Sequence, residues 1–106
     1  MRHCLHSNEF GCALRCPSGC CVHLYFGNVA LAVKPHELPP WLHTVQDLYS
    51  RHALDALAEP DTRRISLCSP VDNLTLVFSL NELVWLHDLL TSTTILLEVE
   101  RILAAS

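Results

Sequence analysis

One pattern occurs twice in this chain, at a constant offset of 45 residues, and it restricts the fold more than any other feature. Asn28, Val29, Leu31 and Val33 recur as Asn73, Leu74, Leu76 and Phe78. Glu37, Leu38, Trp41 and Val45 recur as Glu82, Leu83, Leu86 and Leu90. In each copy apolar residues first alternate, as on a strand, and then recur three and four apart, as on a helix. Each half reads as strand, tight turn, strand, helix. Two such ββα units predict an α+β fold: a mainly antiparallel four-stranded sheet covered by helices. The chain of 106 residues is long enough for one domain with one modest core. The repeat halves are placed at 22–58 and 65–105.

Within the first half, Val22, Leu24 and Phe26 share one strand face, and Cys21, His23 and Tyr25 share the other. Gly27-Asn28 suits a two-residue hairpin turn with Gly at its first central position; a single long strand with a glycine bulge is the competing reading. Pro35 to Pro40 marks a helix entry, because a proline in the first turn forfeits no intrahelical hydrogen bond. Trp41, Leu42, Val45, Leu48, Tyr49 and Leu57 give that helix its apolar face, and Glu59-Pro60-Asp61 ends it. In the second half Ile65 and Leu67 indicate a strand stopped by Pro70, and Leu74, Leu76 and Phe78 face inward on the next. Ser79 and Glu82 form a capping box. Leu83, Leu86, Leu89 and Leu90 make the buried stripe of the following helix. Thr91 to Thr94 is expected to bend or stop it, with helix resuming from Ile95 to Ala105; an unbroken helix is the alternative.

Residues 1–21 form a Cys/His-rich arm added to the first half. Met1 to Glu9 reads as irregular and Phe10 to Cys16 as a short strand. Pro17-Ser18-Gly19 is a turn that returns Cys20 or Cys21 toward Cys16. Five of the six cysteines precede residue 22. No apolar signal segment opens the chain, so reduced thiols in the cytoplasm are expected rather than a disulfide framework. Four thiolates can close a structural zinc site, and Cys4, Cys12, Cys16 and Cys20 are the first choice of ligands. His3, His6, Cys21 and His23 are the substitutes. On the repeat, Cys68 corresponds to His23, while Cys12 and Cys16 have no counterparts.

The formal charge of -4 and the short Arg63-Arg64 patch argue against nucleic acid, which needs Arg15, Arg63 and Arg64 to meet in space. No apolar run reaches the roughly 20 residues of a membrane-spanning helix. There is no glycine-rich phosphate loop. His43, Asp47 and Ser50 lie at helical spacing, but such residues commonly decorate a solvated helix. His52-Asp55 and His87-Asp88 make no better nucleophilic arrangement.

The Cys16 region, Leu24-Tyr25-Phe26-Gly27-Asn28-Val29, Pro35-His36-Glu37-Leu38, and the later Glu82-Leu83 and Leu97-Glu98 pairs resemble a small uncharacterised family of proteins from Bacteroidetes. That family has no established activity, so the resemblance implies no enzyme class. The functional expectation is a small non-catalytic module with a Cys-rich structural zinc site and a protein-interaction role. Two alternatives stand beside it. One is a thiol redox protein using Cys16 with Cys20 or Cys21. The other is a metal-free homodimer, built on the sheet face that carries Cys21, His23, Tyr25, Thr75 and Val77, or on Trp85 and the Ile95-Leu96-Leu97 run.

Overall fold

Between residues 3 and 33 burial alternates with the period of a strand, and four strands result: β1 (His3–Ser7), β2 (Gly11–Arg15), β3 (Val22–Phe26) and β4 (Val29–Val33). The computed structural model describes residues 3–105, the side chains of His3 and Ala105 excepted. The four strands pair antiparallel in the order β1-β2-β3-β4. A bulge between Cys4 and His6 turns Leu5 into the core. Gly27, at φ 56°, opens the two-residue turn between β3 and β4, the position at which such a hairpin requires a positive φ.

The chain then enters a 3-10 turn at Pro35–Glu37 and helix α1 (Leu38–Ala56). The short strands β5 (Ile65–Cys68) and β6 (Thr75–Phe78) follow, then α2 (Leu80–Ala105). The inner sheet face supplies Leu5, Ala13, Val22, Leu24, Leu31 and Val33 to the core, and the helices supply Leu38, Trp41, Val45, Leu83, Leu86, Leu89 and Leu90. Helix α2 lies against β1 and β2, and α1 packs on α2 and β5. Trp41 fastens α1 to the second hairpin by donating its indole N–H to the Cys68 carbonyl at 3.0 Å.

The expected α+β architecture, with its antiparallel four-stranded sheet and helical cover, is present. Its strands differ in origin. Residues 3–7 are not irregular but form β1, and all four strands of the sheet precede residue 34. β5 and β6 make a separate two-stranded sheet. Closing β2 onto β3 across the short turn after Cys16 costs less loop entropy than recruiting a strand from beyond α1. The second hairpin joins the core through its side chains instead. Phe78 lies 5.9 Å from Phe26 and 6.0 Å from Phe10, and Phe10 stacks on Phe26 at 5.1 Å.

The repeated positions fall on equivalent sites. Leu31 and Leu76, Val33 and Phe78, Leu38 and Leu83, Trp41 and Leu86, and Val45 and Leu90 are all buried. Glu37 accepts from the Lys34 amide and Glu82 from the Ser79 amide, each at 2.9 Å. The first strand of each hairpin is displaced, however. Leu24 faces Leu31, whereas Leu67 faces Leu76, because the second turn is longer. Cys68, opposite Thr75, therefore corresponds to Tyr25, opposite Ala30, and not to His23.

Helix α2 runs without a break through Thr91–Thr94. Thr93 is fully buried, so packing outweighs the modest helix propensity of threonine.

Candidate metal centre

The site grows out of the β2–β3 hairpin. Arg15 and Val22 are the last ladder pair, and one step further the Cys16 N–H donates to the Cys21 carbonyl at 3.1 Å. The Gly19 N–H donates to the Cys16 carbonyl at 2.8 Å and closes the turn. Pro17 suits the second position of that turn through its fixed φ, and Gly19 takes φ 75°. Cys16 and Cys21 thus oppose each other across two strand ends. His23, two residues on, shares the face of Cys21, while Val22 and Leu24 point into the core.

The consequence is a half-buried group of Cys16, Cys21 and His23, with one ligand atom from each within 4.8 Å of the others. The Cys21 sulfur lies 3.6 Å from Nε2 of His23. Cys20, exposed at the turn, places its sulfur 3.9 Å from that of Cys16 and 3.9 Å from that of Cys21. The Ser18 hydroxyl sits between two of these thiols, 3.2 Å from Cys16 and 2.9 Å from Cys20.

These neighbours pull the thiols apart electrostatically. The Ser18 hydroxyl, helped by the Ser18 backbone and His23, brings the Cys16 pKa down to about 6. Partial desolvation, reinforced by the neighbouring Cys20 and Cys16, pushes Cys21 up to about 11. Two sulfurs and an imidazole suit a borderline-soft cation such as zinc, which binds thiolate and histidine nitrogen together. The described residues therefore contain a Cys2His group able to coordinate a metal.

Of the eight ligands considered from sequence, the fold brings Cys16, Cys21 and His23 together, with Cys20 alongside. Cys4 and Cys12 lie within strands, opposite Leu14 and Tyr25 respectively, and are not part of that group. His6 instead bonds Asp88 on α2 at 3.0 Å. The side chain of His3 lies outside the described residues. All six cysteines are free thiols. The signal for grouping Cys21 and His23 with Cys16 was legible: a four-residue turn makes Cys16 and Cys21 partners, and alternation adds His23 to the same face.

The remaining polar candidates are engaged elsewhere. Arg15 pairs with Glu100, Arg63 with Glu82 and Arg64 with Glu59, so the three arginines serve three separate ion pairs. Asp47 pairs with Arg51, the Ser50 hydroxyl donates to the Gln46 carbonyl, and the Gln46 amide contacts His87.

The model of a family of unknown function (DUF6686) matches residues 1–104. No curated protein and no solved structure matches the chain. Among the described residues no helix is long and apolar enough to cross a membrane.

Proposed function

The chain belongs to the DUF6686 family, a family of unknown function, and from its donor group we propose that it is a small non-catalytic metal-binding module with zinc held by Cys16, Cys21 and His23. The observation that carries this reading is the convergence of three donors of the right chemistry on one hairpin end. The hairpin is anchored by the buried Val22 and Leu24 beside the site, so the donors stand on a rigid element. With the metal reading goes a cytoplasmic setting, where thiols stay reduced. We read the halves at 22–58 and 65–105 as copies of one ββα unit, with His23 in the first and Cys16 and Cys21 in the arm that precedes it.

Metal analysis tests the proposal. Wild-type protein purified under reducing conditions should carry one zinc ion per chain, and the double variant C21S/H23A should carry none. A folded, reduced wild-type protein that takes up no zinc would sink it.

A second reading, an interaction role through a homodimer, draws support from α2. Ile95, Leu96, Val99, Ile102 and Leu103 are exposed along its second half. About Val99 this stripe is symmetric: Ile95 mirrors Leu103 and Leu96 mirrors Ile102. An isologous two-fold contact would place this same stripe against itself on a second copy. Sedimentation of wild type and Val99→Asp compares them directly. The dimer reading expects wild type at twice the chain mass and the variant at once; a wild type monomeric at every concentration rejects it.

A further inference from the structure

We infer that Cys20 is an exchangeable fourth ligand, closing the metal site when it swings in and yielding one coordination position to an outside thiolate when it swings out. The inference rests on the metal reading above and specifies what the site binds and how it is regulated.

A tetrahedral zinc ion with metal–sulfur bonds of about 2.3 Å and a metal–nitrogen bond of about 2.0 Å sets its ligands apart by about 3.8 Å between sulfurs and about 3.5 Å between sulfur and nitrogen. The Cys16–Cys20 and Cys20–Cys21 sulfur separations are both 3.9 Å, and the Cys21–His23 separation is 3.6 Å. Three edges of a tetrahedron are thus at coordination length, and two of them end on Cys20.

Cys20 differs from the other three donors in how it is held. Cys16 and Cys21 are joined by the hydrogen bond that extends the β2–β3 ladder, and His23 lies within β3. Cys20 sits between the two anchored points of the turn, next to Gly19, and is exposed. In that same position the Ser18 hydroxyl lies 2.9 Å from its sulfur and 3.2 Å from that of Cys16. One donor on a strand, two paired at the strand ends and one in the turn between them make a site that can present either four protein ligands or three with an open position. Closed sites of the first kind are structural, whereas a three-ligand site accepts a group from outside. Because the position is vacated by a thiolate, another thiolate suits it best. The exchange breaks one sulfur–metal bond, forms another and moves no electrons.

Cobalt(II) reports on the exchange, since its thiolate charge-transfer absorbance rises with the number of bound sulfurs. Wild type should bind one cobalt ion per chain with three thiolates. Cys20→Ser should still bind one, with the charge-transfer band lower by one thiolate in three. Its affinity should fall at least about 10-fold, since disturbing even an outer-shell partner costs that much. Adding 2-mercaptoethanol or, separately, a single-cysteine peptide should restore the band, and the one that saturates at lower concentration identifies the source of the outside thiolate. Cys16→Ser should lose binding that neither thiol restores.

A Cys20→Ser protein that matches wild type in band and affinity overturns the inference and leaves the three-ligand site standing. Loss of all binding in Cys20→Ser, or failure of both thiols to restore the band, overturns the exchange. A wild type that binds no cobalt removes the metal reading and this inference together.

Discussion

Gly11 has no room for a side chain. A Cβ there would lie 1.9 Å from the Tyr25 carbonyl oxygen, on the backbone of the neighbouring strand. Gly11→Ala must therefore push β2 off β3, and we expect it to cost at least about 2 kcal/mol in denaturant unfolding. An unchanged unfolding midpoint would show that the strands yield freely. At the thiols the expected effect is chemical. The thiolate is the reactive form, so in metal-free protein Cys16, held down to about 6, should be alkylated readily at pH 7, and Cys21, pushed up to about 11, slowly. Ser18→Ala removes the chief cause of the Cys16 shift and should move its reactivity to higher pH. Peptide mapping after timed iodoacetamide treatment measures both, and equal rates for Cys16 and Cys21 would contradict the arrangement.

The β2–β3 hairpin is the element that metal should govern. Its core-facing residues Ala13, Val22 and Leu24 are fully buried without reference to the donors, which lie on the other face. Removing metal should leave the ladder and the helices intact and loosen the turn. Hydrogen exchange with and without a strong chelator should then quicken the amides of Cys16 and Gly19, whose acceptors lie within the turn, while β4 and α2 keep their protection. Uniform loss of protection would mean that the whole fold depends on the site. Equal protection at Cys16 and Gly19, after confirmed metal removal, would mean that metal does not clasp the turn.

At the scale of the molecule, carboxylates of α2 tie that helix to the rest of the chain, Asp88, Glu82 and Glu100 among them. Asp88 is held below the usual carboxylate range, first by the Asn8 amide at 2.9 Å and then by His6. Asn8 also caps the β1–β2 corner, accepting from the Phe10 and Gly11 amides, and donates to the Trp85 carbonyl. Glu82 is lowered chiefly by Arg63, with the Ser79 amide assisting. A carboxylate with a depressed folded pKa contributes stability above its unfolded pKa and loses it as pH falls through the folded one. The thermal midpoint should therefore drop as pH falls through and below the ordinary carboxylate range. Asp88→Asn should lower the midpoint at neutral pH and flatten that acid response. A variant with the same pH profile as wild type would show that Asp88 contributes nothing to the attachment. The molecule measures 47 × 26 × 26 Å, and α2, with 26 residues and a length of about 39 Å, accounts for much of the long axis. Its second half exposes Ile95, Leu96, Val99, Ile102 and Leu103.

Periodicity alone determined much of this architecture. Alternation at Val22, Leu24 and Phe26, and helical spacing at Leu83, Leu86 and Leu90, mark faces that must be buried, and burial follows them. Leu31 and Leu76, Val33 and Phe78, Leu38 and Leu83, Trp41 and Leu86, and Val45 and Leu90, paired at an offset of 45, are buried in both hairpin–helix stretches. The Pro17-Ser18-Gly19 turn was legible too, since its residues supply the φ values that it needs. What the sequence left open was decided by competition between distant segments. Alternation shows that a strand has a buried face, but not which strand lies beside it. Only the packed structure joins β1 and β2 to β3, leaves β5 with β6, and lets Phe10, Phe26 and Phe78 bridge the two sheets. The same limit governed the ligands. Cys4, Cys12, Cys16 and Cys20 are equivalent as chemistry, but the ladder that makes Cys16 and Cys21 partners brings Cys21 and His23 together with Cys16. Ligand type is a property of side chains, whereas the distances between donors depend on strand register.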